Sequence, residues 1–178
     1  MQQLLTQMAS DQRTPAAGSA AAATARLAAA LVTKAARRSR DVWPEAGGAI
    51  AQATALTARL EAIAEAIEST YEAARAAQDS PEADRIARAL PPAAEAALEL
   101  SRAAADVAEL AADAAHHCDQ AHHADVTAAA IMAEAAARAG AHLVRINLVI
   151  RADDGRVTEA EQQPQRAHQA AAMLANER

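Results

Sequence analysis

The chain has 178 residues, 52% of them hydrophobic, and a formal net charge of −6. It is long and apolar enough to bury a core, which excludes an intrinsically disordered protein. The acidic balance argues against nucleic acid or an anionic membrane surface as a partner.

Alanine supplies most of the hydrophobic residues. Phe is absent, and Trp and Tyr occur once each. Alanine has the highest helix propensity but buries little surface per residue. The composition therefore predicts one all-α domain over residues 1–178, a bundle of long antiparallel helices that pack closely. Because small side chains bury little area within one chain, we also expect a homodimer.

Cysteine usage and hydropathy favour a reduced, cytoplasmic protein. Cys118 is the only cysteine, so an intrachain disulfide is excluded. The most apolar run, 16–32, contains Arg26 and is followed by Lys34, and it falls short of the roughly 18 uncharged residues of a membrane span. The sequence has no basic start followed by an apolar run, so it does not indicate a signal peptide.

Turn-forming residues divide the chain into seven predicted helices. Gly18 or Ser19 is expected to open the second helix, and Pro91-Pro92 the fifth, because proline is accepted at the first helical position. Pro164 is placed near the first turns of the last helix. The approximate bounds are Met1–Ser10, Ala20–Arg40, Glu45–Ala77, Asp79–Leu90, Pro91–His116, Ala124–Arg151 and Thr158–Arg178.

The second helix has Leu27, Leu31 and Ala35 on one face. The apolar and aromatic residues of the third helix are Ile50, Leu56, Leu60, Ile63, Ile67 and Tyr71. The candidates for the buried face of the fifth helix are Leu98, Val107 and Leu110.

The helix over 124–151 has the most regular apolar pattern. Small residues in the middle of its stripe allow a neighbouring backbone to approach around Gly140. The polar ends of the stripe, Asp125 and Asn147, are 22 residues apart, about 33 Å at the helical rise, so they cannot both contact one small reacting centre. The stripe, with steps of three and four, consists of Asp125, Ala129, Met132, Ala136, Gly140, Leu143, Asn147 and Ile150.

Other stretches have both a chemical and a structural interpretation. Residues 14–19 lead into a helix whose free N–H groups could bind an anion or a carbonyl oxygen. The structural alternative is an ordinary helix N-cap. Residues 116–125 hold four of the six histidines beside Cys118, but no comparable second ligand group occurs elsewhere. We therefore favour an exposed histidine-rich turn and predict no metal site. The structural interpretation of Asp125 is a helix cap, and that of Asn147 is a hydrogen bond to a buried backbone group.

The segment TPAAGSAAAATARLAAALVTKAARR, which starts at Thr14, and the segment 125–148 resemble the cyclodeaminase/cyclohydrolase family. This helical family includes the C-terminal domains of formiminotransferase-cyclodeaminases and bacterial methenyltetrahydrofolate cyclohydrolases. The resemblance covers roughly residues 4–150. The matching residues are Pro15, Gly18, Ser19, Asp125, Val144, Ile146 and Asn147.

The resemblance implies a folate one-carbon enzyme, a methenyltetrahydrofolate cyclohydrolase or a formiminotetrahydrofolate cyclodeaminase, that needs no metal or other cofactor. Asp125 would transfer a proton or stabilise developing charge. The residues implied to bind the small-molecule substrate are Gly18 and Ser19 at a polar edge, Tyr71, Asn147 as an orienting group, and Lys34, Arg37 and Arg38 at the glutamate tail. On sequence alone, these three cations also fit a solvated helix end that complements the helix dipole.

Five positions depart from the family pattern: Ala16, Ala17, Ile67, Ala124 and Leu143. The first two replace glycines and lose freedom at positive φ, and the others replace polar residues. Two alternatives therefore stay open, since one scaffold hosts unrelated activities. One is an enzyme for a more apolar, non-folate substrate of a specialised biosynthetic pathway, and the other is a non-catalytic helical binding module.

Overall fold

The computed structural model describes residues 5–6, 8–11, 14–79, 83–148 and 153–175. Within these ranges it contains five long α-helices and no strand, which confirms the all-α prediction. A 3-10 turn, Gln120–His122, precedes the fourth helix. The helices are α1 (Ala16–Arg38), α2 (Ala46–Gln78), α3 (Ala83–His117), α4 (His123–Asn147) and α5 (Gly155–Ala175).

Helix α3 lies at the centre of the bundle and contacts each of the other four helices. Helix α4 packs on α1, α3 and α5, and α2 packs on α1 and α3. The buried residues are mostly alanine, so few long side chains separate the helix backbones. The largest fully buried side chains are Leu60, Leu98, Leu100, Leu148, Val32, Val107, Val126 and Val144.

Gly140 marks the closest approach between α3 and α4. A Cβ atom at this position would lie 2.9 Å from the backbone nitrogen of Ser101 and 3.0 Å from the carbonyl oxygen of Ala97. Ser101 Oγ donates to the Ala137 carbonyl at 2.8 Å, which fixes the same contact. The predicted approach around Gly140 is therefore confirmed.

The start of α1 differs from the prediction. Gly18 and Ser19 do not open the helix but lie in its first turn, because α1 begins at Ala16. The Ser19 N–H donates to the Pro15 carbonyl at 3.0 Å, so helical hydrogen bonding starts at the proline. Proline is suited to this place because the first N–H groups of a helix have no intrahelical acceptor.

The predicted boundary at Pro91-Pro92 is wrong, since α3 continues through both prolines. A proline inside a helix loses a backbone hydrogen bond and costs about 3 kcal/mol. Packing compensates here, because Ala94, Ala97 and Leu98 are buried immediately beyond the prolines. Arg156 Nη1 also donates to the Pro91 carbonyl at 3.0 Å.

The later helix ends also need correction. Helix α4 ends at Asn147 rather than near Arg151, and residues 149–152 lie outside the described ranges. Pro164 is the tenth residue of α5, not part of its first turns, because that helix begins at Gly155. Within the predicted helix over residues 1–10, residues 5, 6 and 8 are helical, and residues 1–4 and 7 lie outside the description.

The buried face of α1 is built from alanine and Val32 rather than from its leucines. Leu27 is 42% exposed and Leu31 is half-buried, whereas Ala35, on the same predicted face, is fully buried. By length and composition alone α1 is long and apolar enough to cross a membrane, with a mean hydropathy of 1.3 in its most apolar 18-residue window. Its buried side packs into the bundle, as expected for a core helix.

Ion pairs join α3 to α2 and α5 along a region that we call the charged seam: Arg59, Glu99, Arg102, Asp106, Glu109, Glu159 and Arg166. Arg59 binds Glu99 at 2.9 Å and Asp106 at 2.8 Å. Burial opposes ionisation of Glu99, but hydrogen bonds and charge from Arg59 and Arg102 outweigh it and lower the pKa of Glu99.

Candidate functional site

A cavity of about 320 Å³ opens at the start of α1, between α1, α2, α3 and α4. We call it the apolar pocket because carbon atoms form most of its surface, and Thr14, Thr70, Tyr71 and Asn147 supply its polar side chains. Its lining residues are Thr14, Pro15, Ala16, Ala17, Gly18, Ile67, Thr70, Tyr71, Ala74, Ala93, Ala97, Leu143, Ile146 and Asn147. No acidic or basic side chain lines it within the described part of the chain.

Gly18 shapes the wall of the apolar pocket by leaving room for Ile67. A Cβ atom on Gly18 would lie 2.7 Å from Ile67 Cγ2 and 3.7 Å from Leu143 Cδ1. The glycine is thus needed for close packing, since among the described residues no glycine has positive φ. Ala16 and Ala17 accordingly fit helical backbone without strain, although their methyl groups occupy the pocket wall.

Three of the sequence-predicted substrate-binding residues, Gly18, Tyr71 and Asn147, line the apolar pocket. Ser19 is half-buried in the first turn of α1 and does not line it. Ile67 and Leu143, which replace polar family residues, form part of its apolar wall. The Thr70 hydroxyl donates to the Ala66 carbonyl at 2.7 Å, so the helix itself uses this polar group.

Asp125 and Lys34, two of the other predicted residues, lie at the opposite end of α1 beside His122, which was not predicted as a site residue. We call this region the charged end: Lys34, His122 and Asp125. Lys34 Nζ lies 2.7 Å from Asp125 Oδ2, and His122 Nδ1 lies 3.9 Å from the same oxygen. The Asp125 side chain is 28% exposed, so solvent reaches the carboxylate. Arg37 and Arg38 are exposed nearby on α1.

The structure therefore divides the predicted residues into two groups within one chain. Gly18 and Lys34 are 16 residues apart on α1, about 24 Å at the helical rise. Asp125 lies in the first turn of α4 and Asn147 is its last residue, so the two are at opposite ends of the helix, as the spacing predicted. A small ligand in the apolar pocket cannot touch Asp125 of the same chain.

The histidine-rich stretch forms the turn between α3 and α4. The His117 ring stacks on Trp43 with ring centroids 5.5 Å apart, and the Asp119 N–H donates to Ser39 Oγ at 2.9 Å. Asp119 Oδ1 also accepts from the Ala121 N–H at 2.8 Å. Among the described residues no group of three or more metal-ligating side chains is placed to hold an ion.

Cys118, in the same turn, is a buried thiol. Burial raises its pKa, with a further contribution from the negative charge of Asp119. A thiol held in its protonated form is a poor nucleophile. The turn thus supports the charged end through packing and hydrogen bonds.

Sequence reasoning missed several residues of the apolar pocket. Thr70 follows Ile67 by one helical turn and adjoins Tyr71, so helical spacing offered a signal for it. Thr14 adjoins Pro15, which matches the family pattern, so the sequence also offered a signal for Thr14. Ala93 and Ala97 had no such signal, because the predicted break at Pro91-Pro92 hid their place on the continuous α3.

One family model matches most of the chain, and a solved structure has a similar fold. Residues 1–166 match the formiminotransferase-cyclodeaminase family. The structure is similar to the crystal structure of formiminotetrahydrofolate cyclodeaminase from Thermotoga maritima, with a TM-score of 0.86 and 21% sequence identity. The match covers 98% of this chain and 94% of that chain. Comparison with curated protein sequences gives no match.

Proposed function

The chain belongs to the formiminotransferase-cyclodeaminase family, and on this premise we propose that it is a folate one-carbon enzyme of the cyclodeaminase or cyclohydrolase type. The family match over residues 1–166 carries the proposal, because it includes both the apolar pocket and the charged end. The similar structure from Thermotoga maritima supports the fold. Family membership does not favour a non-folate enzyme or a non-catalytic binding module.

The proposed chemistry takes place at a one-carbon group bound to folate nitrogen. In the cyclodeaminase reaction a second folate nitrogen attacks the formimino carbon and ammonia leaves. In the cyclohydrolase reaction water adds to the methenyl carbon, and one carbon–nitrogen bond then breaks to give formyltetrahydrofolate. Both reactions need proton transfer and stabilisation of developing charge, which positioned carboxylate and imidazole groups provide.

Each region suits a different part of this task. The apolar pocket would bind a flat ring system, with the Tyr71 hydroxyl and the Asn147 amide at its polar edge. At the charged end, Asp125 would accept or donate the proton, with Lys34 Nζ at 2.7 Å as its counter-ion. The ring of His122, 3.9 Å from Asp125 Oδ2, would be a second group that exchanges protons with the substrate.

We infer that a homodimer brings the two regions together. Gly18 approaches Leu143 at one end of the α1–α4 layer, and Lys34 pairs with Asp125 at the other, so these two helices run antiparallel. Leu27 lies near the middle of α1. In this antiparallel pairing it lies opposite residue 133 of α4. A two-fold axis through this level would bring the charged end of one subunit to the apolar pocket of its partner.

Exposed apolar residues on the outer face of the α1–α4 layer support this arrangement. Leu27 is 42% exposed and Ile131 is 55% exposed, both near the inferred axis. Ala124, Ala128 and Ala135 are exposed on the same stripe of α4 as Ile131, and exposed polar residues continue this stripe toward the apolar pocket: Arg138, His142 and Arg145. A face of this kind suits a second copy of the same chain, because isologous packing of small residues lets two helix layers come close.

The test follows methenyltetrahydrofolate by absorbance, both as it disappears by hydrolysis and as it forms from formiminotetrahydrofolate. We expect the purified protein to accelerate one of these reactions over a buffer blank. Asp125→Asn should lower kcat by about 100-fold or more, the usual contribution of a proton-transfer group, while folate binding persists. Asp41→Asn, at an exposed position outside both regions, is the matched control and should be fully active.

Two results would count against the proposal. The first is an Asp125→Asn variant as active as Asp41→Asn, which would remove Asp125 from the reaction. The second is a folded wild-type protein that neither binds a reduced folate nor accelerates either reaction. The dimer has its own measurement, since Leu27→Glu should dissociate the protein by light scattering and lower activity in parallel.

A further inference from the structure

Helix α3 changes its packing at Pro91 and Pro92. None of the residues 84–93 is buried, whereas Ala94, directly beyond them, is fully buried. Proline has no N–H, so two carbonyls one turn earlier in the helix lack the donors that a regular helix would supply. Prolines inside a helix are also the usual points at which it bends. We call residues 84–92 the leading segment and the two prolines the hinge.

Helix α5 holds the side of α3 that follows the hinge. Arg156 Nη1 donates to the Pro91 carbonyl at 3.0 Å and lies 3.7 Å from Glu95 Oε2. The same guanidinium group binds Asp154, with 2.7 Å between Arg156 Nη2 and Asp154 Oδ2. A bend at the hinge therefore moves the leading segment and leaves the buried part of α3 in place.

The leading segment packs loosely against the end of α2. A cavity of about 410 Å³ lies between the two. Side chains beside a void lack partner atoms on one side, so little contact energy opposes movement of the segment. The residues that line this cavity are Ala73, Ala76 and Ala77 on α2 and Arg85, Arg88 and Ala89 on the leading segment.

Ile86 and Leu90 continue the stripe of α3 that lines the apolar pocket. Ala93 and Ala97 line the pocket, and the four residues follow helical steps of three and four, so they share one face of the helix. Beyond the hinge this face is alanine, whereas on the leading segment it carries two large, half-buried apolar side chains. Such side chains would lose more water-exposed surface by covering a ring that is bound in the pocket.

We propose that the leading segment is a lid, which bends at the hinge and lays Ile86 and Leu90 over a ligand in the apolar pocket. The identity of that ligand as a reduced folate rests on the proposed function, whereas the hinge itself does not. Closure of this kind excludes water from the bound ring and slows its release.

Amide hydrogen exchange, measured by mass spectrometry, tests the hinge in the protein without ligand. We expect the leading segment to exchange about 100-fold faster than residues 94–104, because it opens without unfolding of the bundle. Pro91→Ala combined with Pro92→Ala restores two helical hydrogen bonds and should slow this exchange about tenfold. Pro164→Ala, at the proline inside α5, is the matched control and should leave the leading segment unchanged. Equal exchange rates on the two sides of the hinge in the wild-type protein would overturn the inference.

The dissociation rate of folinic acid, a stable reduced folate, tests the lid by surface plasmon resonance. Leu90→Ala should raise this rate about fivefold to tenfold, since part of the leucine surface is buried only when the lid is closed. The double proline variant should also release folinic acid faster, because a straight helix disfavours closure. Arg88→Gln, on the opposite face of the leading segment, is the matched control and should release it at the wild-type rate.

A second probe, the apolar dye anilinonaphthalene sulfonate, separates the lid from the proposed function. If no reduced folate binds but Leu143→Asn in the pocket wall weakens dye binding and Leu90→Ala speeds dye release, the lid stands and the folate function fails. If reduced folates bind and react but are released at the wild-type rate from Leu90→Ala, the folate function stands and the lid is wrong. The lid is also wrong if Leu90→Ala speeds the release of neither probe.

Discussion

The two ends of the α1–α4 layer are joined by different interactions. At the apolar pocket, Gly18, Ile67 and Leu143 meet through carbon atoms, and single methyl groups decide whether they fit. At the charged end, Lys34 and Asp125 meet through an ion pair that solvent reaches. Exposed ion pairs contribute little stability, whereas close packing contributes much. The comparison predicts that stability depends on the pocket end and proton chemistry on the charged end.

The largest effect is expected at Gly140, which supports the pocket end through Ala97. Valine there would place carbon about 3 Å from the backbone of Ser101 and Ala97, and backbone cannot yield as a side chain tip does. We expect Gly140→Val to lower the free energy of unfolding by about 3 kcal/mol or more in urea denaturation.

Gly48→Ala is the matched control for Gly140→Val. Gly48 is helical and has nothing within 4 Å of its Cβ position, so alanine there should stabilise by about 0.4–1 kcal/mol. If Gly140→Val unfolds at the wild-type urea concentration, the α3–α4 backbones are not in close contact.

The next effect concerns Gly18 and Ile67. Gly18→Ala places its methyl 2.7 Å from Ile67 Cγ2, and overpacking of this kind costs about 1–3 kcal/mol. In the double variant with Ile67→Ala the clash disappears. The sum of the losses in unfolding free energy of the two single variants should therefore exceed the loss of the double variant by about 1 kcal/mol. Strictly additive losses in the double-mutant cycle would show that the two side chains do not meet.

Sequence reasoning predicted the pocket end and the charged end to different extents. The Gly140 contact followed from the helical stripe, because a small residue in a regular pattern permits close approach. Pro91-Pro92 misled, since local propensity cannot register how much packing α3 gains by continuing. Leu27 shows another limit, because hydrophobicity and helical spacing alone do not tell whether a leucine on an apolar face is buried or exposed.

The division of the site residues has a similar cause. The positions of Asp125 and Asn147 at opposite ends of α4 were predictable from spacing alone. The pairing of Asp125 with Lys34 was not, because 91 residues separate them and only the packing of α1 on α4 joins them.

A smaller effect on stability is expected in the charged seam. A fall in pH removes the carboxylate charge and so separates the contribution of charge from that of packing. Because the pKa of Glu99 is lowered in the folded protein, its contribution is present above the ordinary value of 4.5. That contribution is lost as the pH falls through the lowered value. We expect Glu99→Gln to cost about 1 kcal/mol at pH 7 and nothing at the acid limit, in urea denaturation at several pH values.

Glu65→Gln is the control for this pH series, since Glu65 is exposed and forms no ion pair with the described residues. Its stability should follow the wild type at every pH. A Glu99→Gln variant that loses the same stability at low pH as at pH 7 would mean that packing, and not the carboxylate charge, makes the contribution.

The smallest effect on stability is expected at the charged end itself. Lys34→Gln removes the cation 2.7 Å from Asp125, but the lysine side chain is 58% exposed, so the loss should be about 0.5 kcal/mol at low salt. It should vanish near 1 M salt, where screening removes the attraction, and Arg37→Gln should change nothing at either salt concentration. Activity should respond far more, because Lys34 is the counter-ion of the proposed proton-transfer group. A loss of unfolding free energy above about 2 kcal/mol that salt does not affect would mean that Lys34 stabilises the fold by packing. The charged end would then contribute to stability as the pocket end does, which contradicts the comparison.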